Sequence, residues 1–166
     1  MDPTSPKKPR GSAKDRALLL LSVRWRSRQE LRRRLRMAGF EEDEVEGALE
    51  DLEQVGLVED RRFANELVRD QAARRLSGNR AIRSSLLQKG VSREIVDAAL
   101  EEAGGEEDRA RELAVRRAER LRGVEPEAAF RRLYGLLVRR GYGPGVARDA
   151  CRAALEEVMG EGLSSE

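Results

Sequence analysis

Histidine is absent from the 166 residues, which removes the usual neutral-pH base and the commonest metal ligand. The single cysteine, Cys151, precludes an intramolecular disulfide and fits a reducing compartment. It falls on the apolar stripe of an expected helix, where packing is its expected role. Aromatic residues are only 4% of the chain, and no nucleophile lies in a recognisable pairing with a base. The longest apolar run, Ala17 to Leu21, is far short of the roughly 20 residues that cross a bilayer. No phosphate-binding Gly-x-x-x-x-Gly-Lys-Ser/Thr loop occurs, and Gly104-Gly105 reads as a simple linker. Acidic clusters such as Glu41 to Glu44 lack the loop spacing of an EF-hand and are read as solvating surface. These absences exclude the common catalytic and metal chemistries. The expectation is a soluble, cytoplasmic protein that is not an enzyme and needs no cofactor, metal or membrane.

What is present is charge, 39% of residues, with a formal sum of only +2. A polyanionic partner would therefore have to be inferred from where charges lie, not from their total. Such a composition suggests disorder when apolar residues are scattered. Here they recur at helical spacing. Gly39, Gly90 and Gly141 stand 51 residues apart, each with apolar residues four and eight places earlier: Leu31 and Leu35, Ile82 and Leu86, Leu133 and Leu137. An apolar or aromatic residue, Phe40, Val91 or Tyr142, follows each glycine. One module is written three times, and stacked modules of this length usually present an extended surface to a large partner.

Each glycine reads as the C-terminal stop of a middle helix. Ser92 in the second unit and Pro144 in the third mark the start of the next helix. That third helix carries Val45, Ala48, Leu49 and Leu52 in the first unit, then Ile95, Val96, Ala99, Leu100 and Ala103, then Val146, Ala147, Ala150, Cys151 and Leu155. A first helix precedes each pair, over Lys14 to Val23 (with Leu18 and Leu21 facing inward), Asp60 to Leu76 (Phe63 and Leu67) and Glu107 to Leu121 (Leu113 and Leu121). Ser27 and Glu30 are spaced as a capping box, and Asp60 is placed to cap its own helix. No strand alternation is seen. The expected fold is all-α, with three tandem three-helix repeats over 14–56, 57–106 and 107–159. A basic arm, 1–13, precedes them and a flexible tail, 160–166, follows.

Charge follows the same frame. Arg24 to Arg36 holds seven arginines and one acid, whereas Glu41 to Glu53 holds eight acids and no base. The second unit repeats the scheme with Arg80, Arg83, Lys89 and Arg93 followed by Glu94, Asp97, Glu101 and Glu102. The third is basic at Arg131, Arg132, Arg139 and Arg140, then mixed. Arginine far outnumbers lysine, as a GC-rich genome would produce, and Arg/Glu faces often only solubilise helices. Repeated segregation of sign points further, to a basic strip and an acidic strip on different sides. The candidate contacts are Arg26, Arg28, Arg32, Arg33, Arg36, Arg80, Arg83, Lys89, Arg131, Arg132, Arg139 and Arg140. Trp25, between Arg24 and Arg26, suits base stacking, although packing between the first two helices is the preferred reading.

The sequence resembles the RecX family, bacterial modulators of the RecA recombinase. The resemblance rests on Arg26-Ser27-x-x-Glu30-Leu31 with Leu35, Gly39 and Phe40, and on Leu57-Val58-Glu59-Asp60-x-x-Phe63-Ala64. It continues through Gly78-x-x-x-Ile82-x-x-x-Leu86-x-x-Lys89-Gly90-Val91 and Arg139-Arg140-Gly141-Tyr142, covering about Lys14 to Leu155. Glu59 stands where the family often has a second Asp. The resemblance implies an elongated, curved array of three-helix repeats that binds the RecA filament on single-stranded DNA. Restraint of ATP hydrolysis, strand exchange and stimulated repressor cleavage is implied with it, and so a place in recombination, DNA repair and the SOS response. It implies no catalytic residues. Single-stranded DNA, and double-stranded DNA as a further candidate, would be the nucleic-acid partners of a monomer. The alternative is a direct DNA-binding protein of helix-turn-helix type.

Overall fold

A computed structural model describes residues 11–160; the sequence-predicted basic arm before Gly11 and tail after Gly160 lie outside the described residues. Nine α-helices and no strand occur among the described residues. They are α1 (Ala13–Val23), α2 (Arg28–Met37), α3 (Glu42–Gln54), α4 (Asp60–Ala73), α5 (Asn79–Gln88), α6 (Arg93–Ala103), α7 (Glu106–Ala118), α8 (Pro126–Arg139) and α9 (Pro144–Gly160), with a 3-10 turn, Glu119–Leu121, after α7. Helices α2, α5 and α8 are the middle helices of the repeat.

Each middle helix ends the same way. The amides of Phe40, Val91 and Tyr142 reach back to the carbonyls of Leu35, Leu86 and Leu137, the six-to-one bond of a Schellman stop. Gly39, Gly90 and Gly141 supply the positive φ it requires, 91°, 78° and 90°. The residue after each glycine is buried, as are the paired apolar positions Leu31 and Leu35, Ile82 and Leu86, Leu133 and Leu137. Full burial of each such side chain contributes about 1.5–3 kcal/mol, so the three-fold period is a statement about the core.

The helix starts differ from the sequence reading in instructive ways. Ser27 caps α2 by accepting the Glu30 amide at 3.1 Å, but Glu30 does not reach back. Its carboxylate is taken by Arg24 and Arg26, and charge-assisted bonds outcompete a neutral return. The reciprocal box sits instead at Ser12 and Asp15, opening α1 at Ala13. Asp60 does not cap its own helix either. It accepts the Arg28 amide at 2.8 Å, at the start of α2. Glu106, at the start of α7, does the same for Asn79 at the start of α5, also at 2.8 Å.

The first helix of one repeat thus caps the middle helix of the repeat before it. The glycine corner completes the joint. Ser27 Oγ donates to the Lys89 carbonyl, and 51 positions on, the Gly78 amide donates to the Arg140 carbonyl at 2.9 Å. A Cβ on Gly90 would stand 2.5 Å from Cβ and Cγ of Gln29, and one on Gly141 would come within 2.5 Å of the Ala81 amide nitrogen. Glycine is required here for close approach as well as for φ.

The described chain packs as two compact units. The first comprises the chain through Asn65 with Leu86–Val96, the second Glu66–Ser85 with the chain from Asp97. In the first, α1, α2 and α3 enclose Leu31, Leu35, Val45, Leu49 and Leu52 with Ala13 and Ala17. Leu18, expected to face inward, is 39% exposed; Ala13 and Ala17 are α1's buried residues, with Leu20 and Leu21 packed against the same core. In the second, α7, α8 and α9 enclose Leu113, Leu133, Leu137, Ala147 and Cys151. Ala103, placed on α6's stripe from sequence, is exposed.

Candidate functional site

The basic residues of α2 do not form a free strip. Arg28 pairs with Glu46 at 2.9 Å and Glu53 at 2.6 Å, Arg32 forks onto Glu46, and Arg36 holds Glu42. Helices α2 and α3 carry opposite charge because they are each other's partners. This corrects the expectation of separated strips in the first unit. Hydrogen bonds from Arg32, with Arg28 adding to them against an opposing desolvation, hold the Glu46 carboxyl down to about 2. In the second unit Arg83 pairs with Asp97 across α5 and α6.

Arg26 is a second correction. It is 6% exposed, and its guanidinium is spent on Glu30 at 2.6 Å and on the Leu20 carbonyl at 3.1 Å. A side chain so placed positions the α1–α2 turn and cannot meet an external ligand. Burial raises the Glu30 carboxyl, but bonds from Arg24 and Arg26 prevail and leave it below its ordinary value. Trp25 is half-buried, with the Arg62 guanidinium 4.5 Å from its ring centroid. The Arg62 guanidinium, from α4, covers a face of the ring that a stacking base would need.

The remaining candidates keep some freedom. Arg33, Arg80, Arg132 and Arg139 are exposed and have no carboxylate partner among the described residues. Arg131 has only a 3.9 Å contact with Glu127. Lys89 is half-buried, its carbonyl engaged by Ser27. Arg140 donates to the Arg75 carbonyl at 2.8 Å.

Arg140 leads to a feature outside the glycine frame. A cleft of about 220 Å³ in the second unit is walled by Arg74, Arg75, Arg116, Arg117, Arg120 and Arg140 over Leu76 and Leu113. No acid lines it. Sequence reasoning passed over five of these arginines because they lie on first helices or just beyond, while the charge argument followed middle helices. The adjacent pairs Arg74-Arg75 and Arg116-Arg117, with Arg120 one turn on, were the available signal. Among the described residues no group of acids, cysteines or histidines is arranged to hold a metal. Cys151 is buried, and desolvation pushes its thiol up to about 12.

Comparison with known proteins places these helices. Models of the first, second and third three-helix domains of RecX match residues 13–52, 60–100 and 105–151. A Corynebacterium efficiens protein named Regulatory protein RecX is 40% identical over 149 residues, covering 86% of this chain and 71% of its own. The chain belongs to the RecX family. A RecX regulatory protein of Mycobacterium avium is 35% identical over 164 residues, covering 96% of this chain and 93% of its own. The crystal structure of RecX from Lactobacillus salivarius shares the fold at a TM-score of 0.77 and 22% identity, covering 86% of this chain and 94% of that one. A second crystal structure, of regulatory protein RecX, matches at 0.70 and 26% identity over 81% of this chain and 67% of that one. As in the family models, each helix triplet here is one three-helix domain, and the relatives are regulatory proteins by name. No helix among the described residues is long and apolar enough to cross a membrane.

Proposed function

We propose that this chain is a non-catalytic regulator that binds the RecA recombinase filament on single-stranded DNA and restrains its ATPase, strand-exchange and coprotease activities. It acts as a cytoplasmic monomer through its three-helix repeats. The observation that carries the reading is the match of all three RecX domains in order along the chain. Arginines left unpaired by the fold support it. Arg33 on α2, with Arg80, Arg132 and Arg139 on α5 and α8, presents charge to a polyanionic or acidic surface, where exposed guanidinium forks suit both phosphate and carboxylate. Arg28, Arg32, Arg36 and Arg83 fix helix to helix and contribute less.

The test is a titration of the protein into RecA on single-stranded DNA, reading ATP hydrolysis and strand exchange. Inhibition that saturates, and that weakens in Arg33→Glu/Arg132→Glu more than in Arg28→Gln/Arg83→Gln, is the expected result. Unchanged hydrolysis and exchange over a broad concentration range would exclude the reading.

A further inference from the structure

We propose that the arginine cleft of the second unit is a binding site for the phosphodiester backbone of single-stranded nucleic acid, with Arg75, Arg117 and Arg120 as its phosphate ligands. Three segments deliver the guanidinium groups to one concavity: the turn after α4, α7 with the turn after it, and the C-cap of α8. Between α2 and α3, and between α5 and α6, the fold supplies such groups with acids from the neighbouring helix. Here Arg75, Arg117 and Arg120 have no carboxylate partner among the described residues, and Arg74 and Arg116 have only Asp70 and Glu112, each four residues back in the chain. Exposed pairs of that kind contribute about 0.3–0.5 kcal/mol and exchange readily for a stronger anion. Gathering like charge in a concave surface focuses a positive potential and favours a polyanion in it.

The cleft is also held open in advance. Arg140 fastens the Arg75 carbonyl at 2.8 Å, the Tyr142 hydroxyl donates to the Leu76 carbonyl at 2.7 Å, and the Gly78 amide donates to the Arg140 carbonyl at 2.9 Å. Leu76, on the floor, has φ +48°, the only positive φ outside glycine among the described residues. A left-handed leucine costs about 1–2 kcal/mol, and strain of this kind persists where surroundings over-determine it and gathers at binding sites. Leu76 and Leu113 make the floor apolar between cationic walls. A nucleic-acid strand alternates anionic phosphate with a largely apolar sugar face, and each phosphate accepts a guanidinium fork through two oxygens. One such strand meets both the walls and the floor.

The inference rests on the proposed function only in taking nucleic acid as the neighbouring polyanion, and its test contains no recombinase. Binding of the full chain to a short labelled single-stranded oligodeoxynucleotide is followed by anisotropy from about 50 to 200 mM salt. At about 0.7 per neutralised phosphate, Arg75→Gln/Arg117→Gln/Arg120→Gln lowers the slope of log affinity against log salt by about 2 and weakens binding at least tenfold or so. A matched variant at three exposed arginines outside the cleft, Arg61→Gln/Arg148→Gln/Arg152→Gln, loses less than a third of that. Equal losses in the two variants, no binding by the unaltered chain, or competition by polyglutamate as strong per charge as by the oligonucleotide overturns the assignment, the last in favour of an acidic peptide. Should the triple variant not fold, Arg120→Glu alone carries the test, since that side chain is exposed in the turn after α7: weaker binding with a smaller slope supports the site, and unchanged binding overturns it.

Discussion

Replacing Gly141 with alanine tests the joint that sets one repeat on the next. Two costs are separable. At φ +90° any L side chain incurs about 1–2 kcal/mol. The added Cβ would also run into Ala81, 2.5 Å from its nitrogen and 2.9 Å from its Cα. These are backbone atoms at the start of α5, so no rotamer change relieves the overlap. Restoring a separation of about 3.5 Å moves that turn by roughly 1 Å. The bonds from Gly78 N to Arg140 O, 2.9 Å, and from Arg80 N to Gly141 O, 3.0 Å, then leave hydrogen-bonding range, at about 0.5–1.5 kcal/mol each. The sum is about 2–5 kcal/mol. Gly56 is the control: its φ is +73° but nothing lies within 4 Å of a Cβ there, so Gly56→Ala costs only the conformational part, about 1–2 kcal/mol. Urea unfolding followed by circular dichroism should place the Gly141→Ala midpoint roughly 1 M below that of Gly56→Ala, given slopes of about 1–3 kcal/mol per molar. Coincident midpoints would refute the close-approach argument and leave only the helix stop.

Glu46→Gln removes the carboxylate that holds Arg28 and Arg32. A fall in its pKa from 4.5 to about 2 corresponds to about 3 kcal/mol in a dry site, and with Glu46 30% exposed screening reduces this to about 1 kcal/mol. Because the folded value is the lower one, the contribution is complete above pH 4.5 and disappears as pH falls toward 2; urea midpoints of the variant and the unaltered chain should differ at neutral pH and converge near the acid end. Freed of Glu46, the two arginines should also raise affinity for single-stranded DNA, and a variant less stable yet no better at binding would show that they face only α3. Tyr142→Phe leaves the buried Leu76 carbonyl without its 2.7 Å partner and should cost about 1–2 kcal/mol, read as a drop in thermal midpoint of several degrees; an unchanged midpoint would deny that bond a structural role.

The repeat was legible because its signals are local and periodic. A glycine with apolar residues four and eight places before it can end a helix in few ways, and the α3 stripe of Val45, Ala48, Leu49 and Leu52 is buried throughout. Ser92 and Pro144 mark helix starts as expected, Ser92 accepting the Ile95 amide at 3.5 Å and Pro144 opening α9. What escaped depends on residues distant in sequence. Asp60 serves Arg28, 32 positions away, and Glu106 serves Asn79, 27 positions away. Glu30 abandons the capping box because two arginines compete for it. The candidate site was half legible for the same reason: sign and spacing identify arginine-rich helices, but pairing consumes Arg26, Arg28 and Arg32 in the fold. The cleft needs three separated segments brought together, and no single window of sequence contains it.

The most direct test of the proposed regulation is co-sedimentation of the chain with RecA-coated single strands and with naked strands across a salt series. Arginine contacts to phosphate alone fade steeply as salt rises, whereas a protein surface adds apolar and shape-matched contact that salt screens little. Retention on coated strands at a salt concentration that releases the chain from naked ones is the predicted result. Equal release from both, or no enrichment on the coated strand at any salt, would contradict a filament-binding regulator and leave a simple DNA-binding protein in its place.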